Sequence, residues 1–335
     1  MLAAPNESFP CAYGENAAQA PAGLSAAETT DPLALGRFEL LEGSAPSFNN
    51  LVDVDRQLQT ITHMAAAFDG RGLALAVGSK HGNACGAAAA ATPAEAIQRM
   101  LEGDLRAIFG GCVMLGFAVG AEEAELLLRH ASPTRRLLDL ITAASFSDEA
   151  VEVLARKHGK CRLLANPALG SLGRDSLDTA PRQRYVRGGM LEQPNYTFVL
   201  DLGEAEITGE LSDAQRDDLL LAWAVGATSN SNTITLVREG ALIGNGVGQQ
   251  DRVSCCALAL TRARDAGHDI AGAVAYSDSF FPFPDAPETL LEAGVSAVFA
   301  TSGSVRDDQV REAFAKAGVA FAQLPDKLAR GFYGH

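Results

Sequence analysis

LALAVGSKHGNACGAAAAATPAEAIQRMLEG, residues 73–103, decides the fold class. Leu73–Val77 reads as a buried strand, and Thr92 to Leu101 reads as a helix. Thr92 stands at the N-cap, Pro93 at the first helical position, and Glu95 three residues after the cap. Between them Lys80 and His81 stand side by side, and Gly82 and Gly86 break the backbone. The segment is therefore strand, loop, helix, and the chain around it belongs to the α/β class. A Lys-His pair at a strand end reads by itself as a solvated loop, so a chemical role needs support from elsewhere in the chain.

Outward from this segment the alternation continues. SDEAVEVLARK, 147–157, opens a second helix with Ser147 as its cap, and 161–165 is a short strand. Ser212 caps a helix through Trp223, with Gln215 completing a capping box, and TITLVREGALIGNG reads as a hairpin turning at Glu239-Gly240. GVSAVFAT and GVAFAQL are strands flanking the helix DDQVREAFAKAG. No short internal repeat is visible. The polar, arginine-rich stretch 182–195 is the best boundary, which predicts two α/β units over 1–190 and 191–335.

The 335 residues are 47% hydrophobic and 20% charged, enough for a large core. No run of about 18 uncharged apolar residues occurs, and the N-terminus lacks the order of a secretory signal, so a membrane partner is not expected and a cytoplasmic location follows by default. A net charge of −14, from 27 basic against 41 acidic residues, disfavours a nucleic-acid partner. The six cysteines are scattered, which disfavours a disulfide framework, and no C-x-x-C or H-x-E zinc pattern is present.

Four further stretches carry chemistry or mimic it. Asn49 and Asn50 in SFNNLVDVD suit a helix cap. Asn232 in SNSNTITLV stands at a strand start, where its amide closes a turn or donates to a ligand. GNGVGQQDRV reads as a glycine loop before a helix, without dinucleotide spacing. SDSFFPFPD places three phenylalanines and two prolines between Asp278 and Asp285, as a wall for a flat ring or as core.

In this order the stretches resemble one family: the aminoimidazole carboxamide ribotide (AICAR) transformylases, the formyltransferase half of the bifunctional purine-biosynthesis enzyme. The residues that carry the resemblance are YGEN at 13–16, SFNNL, KHGNACG, IFGG, DLITAAS, RYVRGG, NSNTI, GNGVGQQDRV, SDSFFPFPD, SGSVRDD and the terminal GFYGH. They span nearly the whole chain.

The resemblance implies two cytidine-deaminase-like α/β/α units without zinc, and a formyl transfer from 10-formyltetrahydrofolate to an aromatic amine. It implies His81 as base and Lys80 and Asn232 as donors to the developing oxyanion. Tyr13, Asn50, Phe109, Gly110, Asp139, Arg252, Phe280, Tyr333 and His335 fall where the substrate is held, and Pro282, Phe283 and Asp285 where the folate is held. It further implies a homodimer with shared sites, absence of the cyclohydrolase half and its ring closure, and, in some relatives, a monovalent cation such as K+ behind the Asn232 strand. The departures are specific. Two arginines that bind phosphate in the family stand as Ala12 and Gly331, with Arg330 one residue away, and Ala17-Ala18, Ala84 and Pro284 also depart from its pattern. Three readings follow: a transformylase acting on the ribotide, a relative using a different and non-phosphorylated acceptor, and a non-catalytic folate- or purine-binding protein.

Overall fold

The computed structural model describes residues 1–334. Twelve of its strands form one sheet. In chain order they are β1 (Glu39–Glu42), β2 (Ala74–Lys80), β3 (Asn83–Ala90), β4 (Cys112–Leu115), β5 (Leu140–Ala143), β6 (Arg162–Ala165), β7 (Glu206–Thr208), β8 (Ile234–Arg238), β9 (Ala241–Gly246), β10 (Val274–Ser277), β11 (Ala297–Ser302) and β12 (Ala320–Pro325). Across the sheet the order is β7-β12-β11-β10-β8-β9-β3-β2-β4-β5-β6-β1. The two central strands, β9 and β3, meet at a single register pair, Ala241 with Ala88.

Each side of that junction follows the same plan. A hairpin, β2/β3 or β8/β9, lies nearest the middle, then three mutually parallel strands run outward, and an antiparallel strand closes the edge. The helices repeat as well. α1 (Phe48–Ala67) precedes the first hairpin, and α2 (Pro93–Glu102), α3 (Ala121–Arg129) and α4 (Asp148–Leu154) follow it; α5 (Asp213–Gly226) precedes the second, and α6 (Arg252–Asp265), α7 (Asp285–Glu292) and α8 (Asp307–Ala317) follow it. The molecule thus contains a structural repeat that the sequence does not display.

α1 and α5 pack together over one face of the sheet and share a core that runs through both halves. The other face carries two separate cores, under α2–α4 and under α6–α8. The expected caps are present: Thr92, Ser147 and Ser212 each accept a hydrogen bond from the backbone three residues on. No helix is long and apolar enough to cross a membrane among the described residues.

Two local expectations change. Residues 83–90 are a strand rather than a loop, and Gly86 lies inside it. Its role is close approach, because a Cβ there would stand 1.9 Å from the Met100 carbonyl oxygen of α2. Likewise Gly244 and Gly246 belong to β9, not to a loop, and a Cβ at either would meet the α6 backbone, at 2.5 Å and 2.3 Å. The start of α6 is capped by Asp251, which accepts from Ser254 N at 2.7 Å, so this segment is not an anion cradle. The stretch 182–195 forms a solvent-exposed hairpin, Arg182–Val186 with Gly189–Gln193.

Candidate functional site

Lys80 ends β2 and Asn83 opens β3; between them His81 (φ 55°) and Gly82 (φ 73°) make a two-residue turn with both residues left-handed. Two positive φ values are what a tight hairpin turn with the natural strand twist requires, and glycine supplies the second without steric cost. α1 holds the turn from behind. Asp53 Oδ1 accepts from Gly82 N at 2.7 Å, and Asp53 Oδ2 accepts from Cys112 Sγ at 3.5 Å. Burial pushes the Asp53 carboxyl up, and the Gly82 bond opposes that.

The same helix face joins the turn to the second half. Arg56, one turn beyond Asp53, donates to the Tyr333 carbonyl, to Thr228 O at 3.0 Å and to Asn230 Oδ1 at 3.0 Å. Burial lowers its guanidinium to about 10, which leaves it charged at neutral pH. Asn83 accepts from Asn230 N at 3.3 Å. Asn232 follows at the start of the β8 segment and gives one amide hydrogen to Gln249 O at 2.8 Å. The other amide hydrogen has no partner among the described residues.

On the opposite flank, Lys80 Nζ donates to Phe109 O at 2.6 Å, and Gly110 lies beside it. Gly110 is left-handed at φ 67° and bonds to Leu137 O at 2.7 Å, two residues before Asp139. Asp139 is half-exposed and pairs with Arg156 at 3.5 Å. A cavity of about 250 Å3 opens at the turn, lined by Lys80, His81, Asn83, Asp104, Asn245 and Arg262 with apolar neighbours. An ammonium, an imidazole and carboxamides at one opening can receive a carbonyl oxygen, take a proton, and orient a planar acceptor.

The other expected residues are distributed as follows. Asn50 completes the capping box of α1 with Ser47, and Tyr13 O accepts from Phe48 N at 3.0 Å, so both sit at the start of that helix. Tyr333 is buried under the guanidinium groups of Arg56 and Arg182, 4.7 and 3.6 Å from its ring centre, and its hydroxyl donates to Asp55 at 3.3 Å. Burial pushes that hydroxyl up to about 12. Arg252 is buried in an ion pair with Asp278, which also accepts from Thr233 N and from Ser231 Oγ. The Asp278 carboxylate behind the Asn232 strand is thus already charge-paired. No group of three His, Cys, Asp or Glu that could hold a metal ion is found among the described residues.

SDSFFPFPD is not one wall. Phe281 is core against Phe314, Phe280 is half-buried, and Pro282, Phe283 and Asp285 are exposed, with Arg306 over the Phe283 ring at 4.6 Å. His335 lies outside the described residues. At the C-terminus, Arg330 pairs with Asp326. A Cβ on Gly331 would lie 2.4 Å from the Tyr196 hydroxyl and 2.9 Å from Ala227 Cβ, so no side chain fits there without movement.

The sequence reading missed Asp53, Arg56, Asn83 and Asn230. A signal was present: polar side chains at 50, 53, 56 and 60 recur at helical spacing along α1. The last of them, Thr60, bonds to Thr228 of the second half at 2.8 Å.

The family model described as AICARFT/IMPCHase bienzyme matches residues 3–262. Among curated proteins, the bifunctional purine biosynthesis protein PurH of Cutibacterium acnes is 35% identical over 318 residues, covering 93% of this chain and 56% of its own length. PurH of Thermotoga maritima is 34% identical over 299 residues, covering 88% of this chain and 59% of its own. PurH of Polynucleobacter necessarius is 30% identical over 309 residues, covering 92% and 56%. The chain spans a little over half the length of these relatives. On the match of the family model and of relatives along most of its length, the chain belongs to the AICARFT/IMPCHase bienzyme family.

Proposed function

We propose that this chain is a formyltransferase that moves the formyl group of 10-formyltetrahydrofolate onto the aromatic amine of an aminoimidazole carboxamide. The observation that carries the reading is the Lys80–Asn83 turn, held by Asp53 on one side and tied to the Asn230–Asn232 segment on the other. An arylamine is a poor nucleophile and becomes acidic as it attacks. In this reading the amine nitrogen bonds to the formyl carbon, and His81 takes the proton released there, directly or through the neighbouring carboxamide. Lys80 and the free amide hydrogen of Asn232 donate to the oxyanion of the tetrahedral intermediate. Collapse breaks the bond from the formyl carbon to the folate nitrogen, and the proton taken by His81 is returned to that nitrogen. Asn50, Phe109, Gly110, Asp139 and Tyr333 serve the acceptor, with Arg252 and Phe280 around the second-half loop, and Pro282, Phe283 and Asp285 serve the folate. The two repeats, proposed as cytidine-deaminase-like units divided near residue 190, supply opposite sides of this centre. A homodimer brings the exposed Tyr13 and the exposed 282–285 segment to sites shared between subunits.

A second reading concerns the acceptor. Position 331 has no room for a side chain and Arg330 is paired, which favours an acceptor held without a strong phosphate clamp. Formyl-transfer assays with the ribotide, its riboside and the free aminoimidazole carboxamide test both readings. Ala12→Arg is expected to raise ribotide use selectively, whereas Gly331→Arg is not, because Tyr196 fills its space. A protein that binds folate and formylates none of the three acceptors would be a binder instead.

A further inference from the structure

A second cavity, of about 150 Å3, lies beside the same helix and shares no lining residue with the one at Lys80. Asp31, Asp55 and Asp178 line it together with Gln59, Thr62, Ser176 and leucine side chains, and no Lys, Arg or His does. The carboxylates alone would be only an acidic cluster. Gln59 points to a ligand independently: it is 4% exposed, it lines the cavity, and its side-chain amide has no hydrogen-bond partner among the described residues. Its amide is unpaired and open to the cavity, so an occupant meets it without displacing a protein partner.

The chemistry of the walls selects the occupant. Thr62 Oγ1 already donates to Leu58 O at 2.7 Å, so its lone pairs face outward as acceptors. The lining therefore accepts hydrogen bonds far more than it donates them. No three of its acidic groups are grouped as metal ligands, and a bare divalent ion wants six or more oxygens around one point. The charges acting on Asp55 include Arg56 and Arg182, which stand at Tyr333 and not in the cavity. Burial pushes the Asp55 carboxyl up, and the Tyr333 hydroxyl, Arg182 and Arg56 oppose that. The volume is that of a cavity that takes a single small ring.

We propose that this cavity binds a small organic cation with several N–H donors, an alkylguanidinium or alkylammonium group, between Asp31, Asp55, Asp178 and Gln59. It stands apart from the formyl-transfer reading and is measured without it. The test is isothermal titration calorimetry on the full chain with methylguanidinium chloride and with ethylammonium chloride. N-methylurea serves as the neutral isostere, and potassium and magnesium chloride as the inorganic ions. One saturable site per chain is expected for at least one of the two organic cations, with N-methylurea about tenfold weaker or worse. Asp178→Asn and Asp31→Asn are each expected to weaken binding about tenfold, and Gln59→Leu to weaken it measurably. No saturable heat with either organic cation, equal binding of N-methylurea, tighter binding of potassium or magnesium, or affinities unmoved by both aspartate variants would overturn the proposal.

Discussion

The two central hairpins of the sheet turn in the same way and stand in different surroundings. In the first, His81 and Gly82 have φ of 55° and 73°; in the second, Glu239 and Gly240 have 54° and 74°. Each turn is held by an aspartate six residues into the preceding helix, Asp53 in α1 and Asp218 in α5. Asp218 accepts from Glu239 N at 2.9 Å and from Gly240 N at 2.7 Å, as Asp53 accepts from Gly82 N. A left-handed non-glycine residue often marks a functional site. Here that conformation recurs in both halves, so it belongs to the fold, and the strain at His81 is not evidence of chemistry. What separates the turns is their surroundings. Lys80 and His81 line a cavity, Lys80 bonds to Phe109 O and Asn83 joins the turn to Asn230, whereas Arg238 pairs with Glu239 and with Asp269.

The largest expected effect breaks the equivalence of the turns directly. His81→Ala is expected to lower formyl transfer by about 10²–10⁴, the usual worth of a positioned base, while folate binding measured at equilibrium is retained. Glu239→Ala, at the equivalent position, should leave turnover within about twofold, since an exposed ion pair contributes little. Equal losses in both variants would mean that the turns serve stability alone.

The next effect tests the packing that joins the halves. His63 of α1 stacks on Tyr196 at 5.5 Å and lies 5.6 Å from Trp223, both from the second half. Burial holds its imidazole down to about 4, against 6.5 when unfolded. Between those values the unfolded chain takes up a proton that the folded chain refuses. The contribution is therefore intact above about pH 6.5 and is lost as the pH falls towards 4, by about 3 kcal/mol in all. Denaturant midpoints across that range should shift accordingly, and His63→Phe should flatten this part of the profile. An unchanged profile in the variant would remove His63 as its source.

A smaller effect sharpens the comparison at the anchors. Asp53→Ala and Asp218→Ala each remove charge-assisted bonds to a turn, and each is expected to cost about 1.5–3 kcal/mol of stability by denaturant titration. Only Asp53→Ala should also lower kcat, because only its turn carries the proposed base, His81. A kcat loss in the Asp218 variant would contradict the division of labour.

Much of this architecture is legible from residues with strong local chemistry. Thr92-Pro93, Ser147 and Ser212 declare helix starts through caps, and Glu239-Gly240 declares a hairpin because Gly follows between two β-rich runs. The first hairpin is harder to see. Its second strand is mostly alanine, which has weak strand preference and is tolerated there because the strand is covered on both faces, with Gly86 admitting α2. The structural repeat is invisible because its equivalent turns, KHGN and REGA, have little but a glycine in common. In the candidate site, Lys80, His81 and Asn232 are singled out through motif resemblance. The helical spacing of Asp53 and Arg56 along α1 is visible, but their partners, like that of Asn83, are backbone groups far away in sequence, which local spacing does not name.

The central claim is that the first turn, and not its structural twin, is a formyl-transfer centre with a relaxed hold on phosphate. The most direct measurement compares kcat/KM for formyl transfer from 10-formyltetrahydrofolate to the ribotide, the riboside and the free aminoimidazole carboxamide, in the unmodified chain and in His81→Ala. The account predicts transfer to at least one acceptor, its loss in the variant, and a ribotide advantage over the riboside no greater than about tenfold, the worth of roughly one weak charge-assisted contact. Absence of transfer to all three acceptors at saturating donor, or transfer that survives unchanged in His81→Ala, would contradict it.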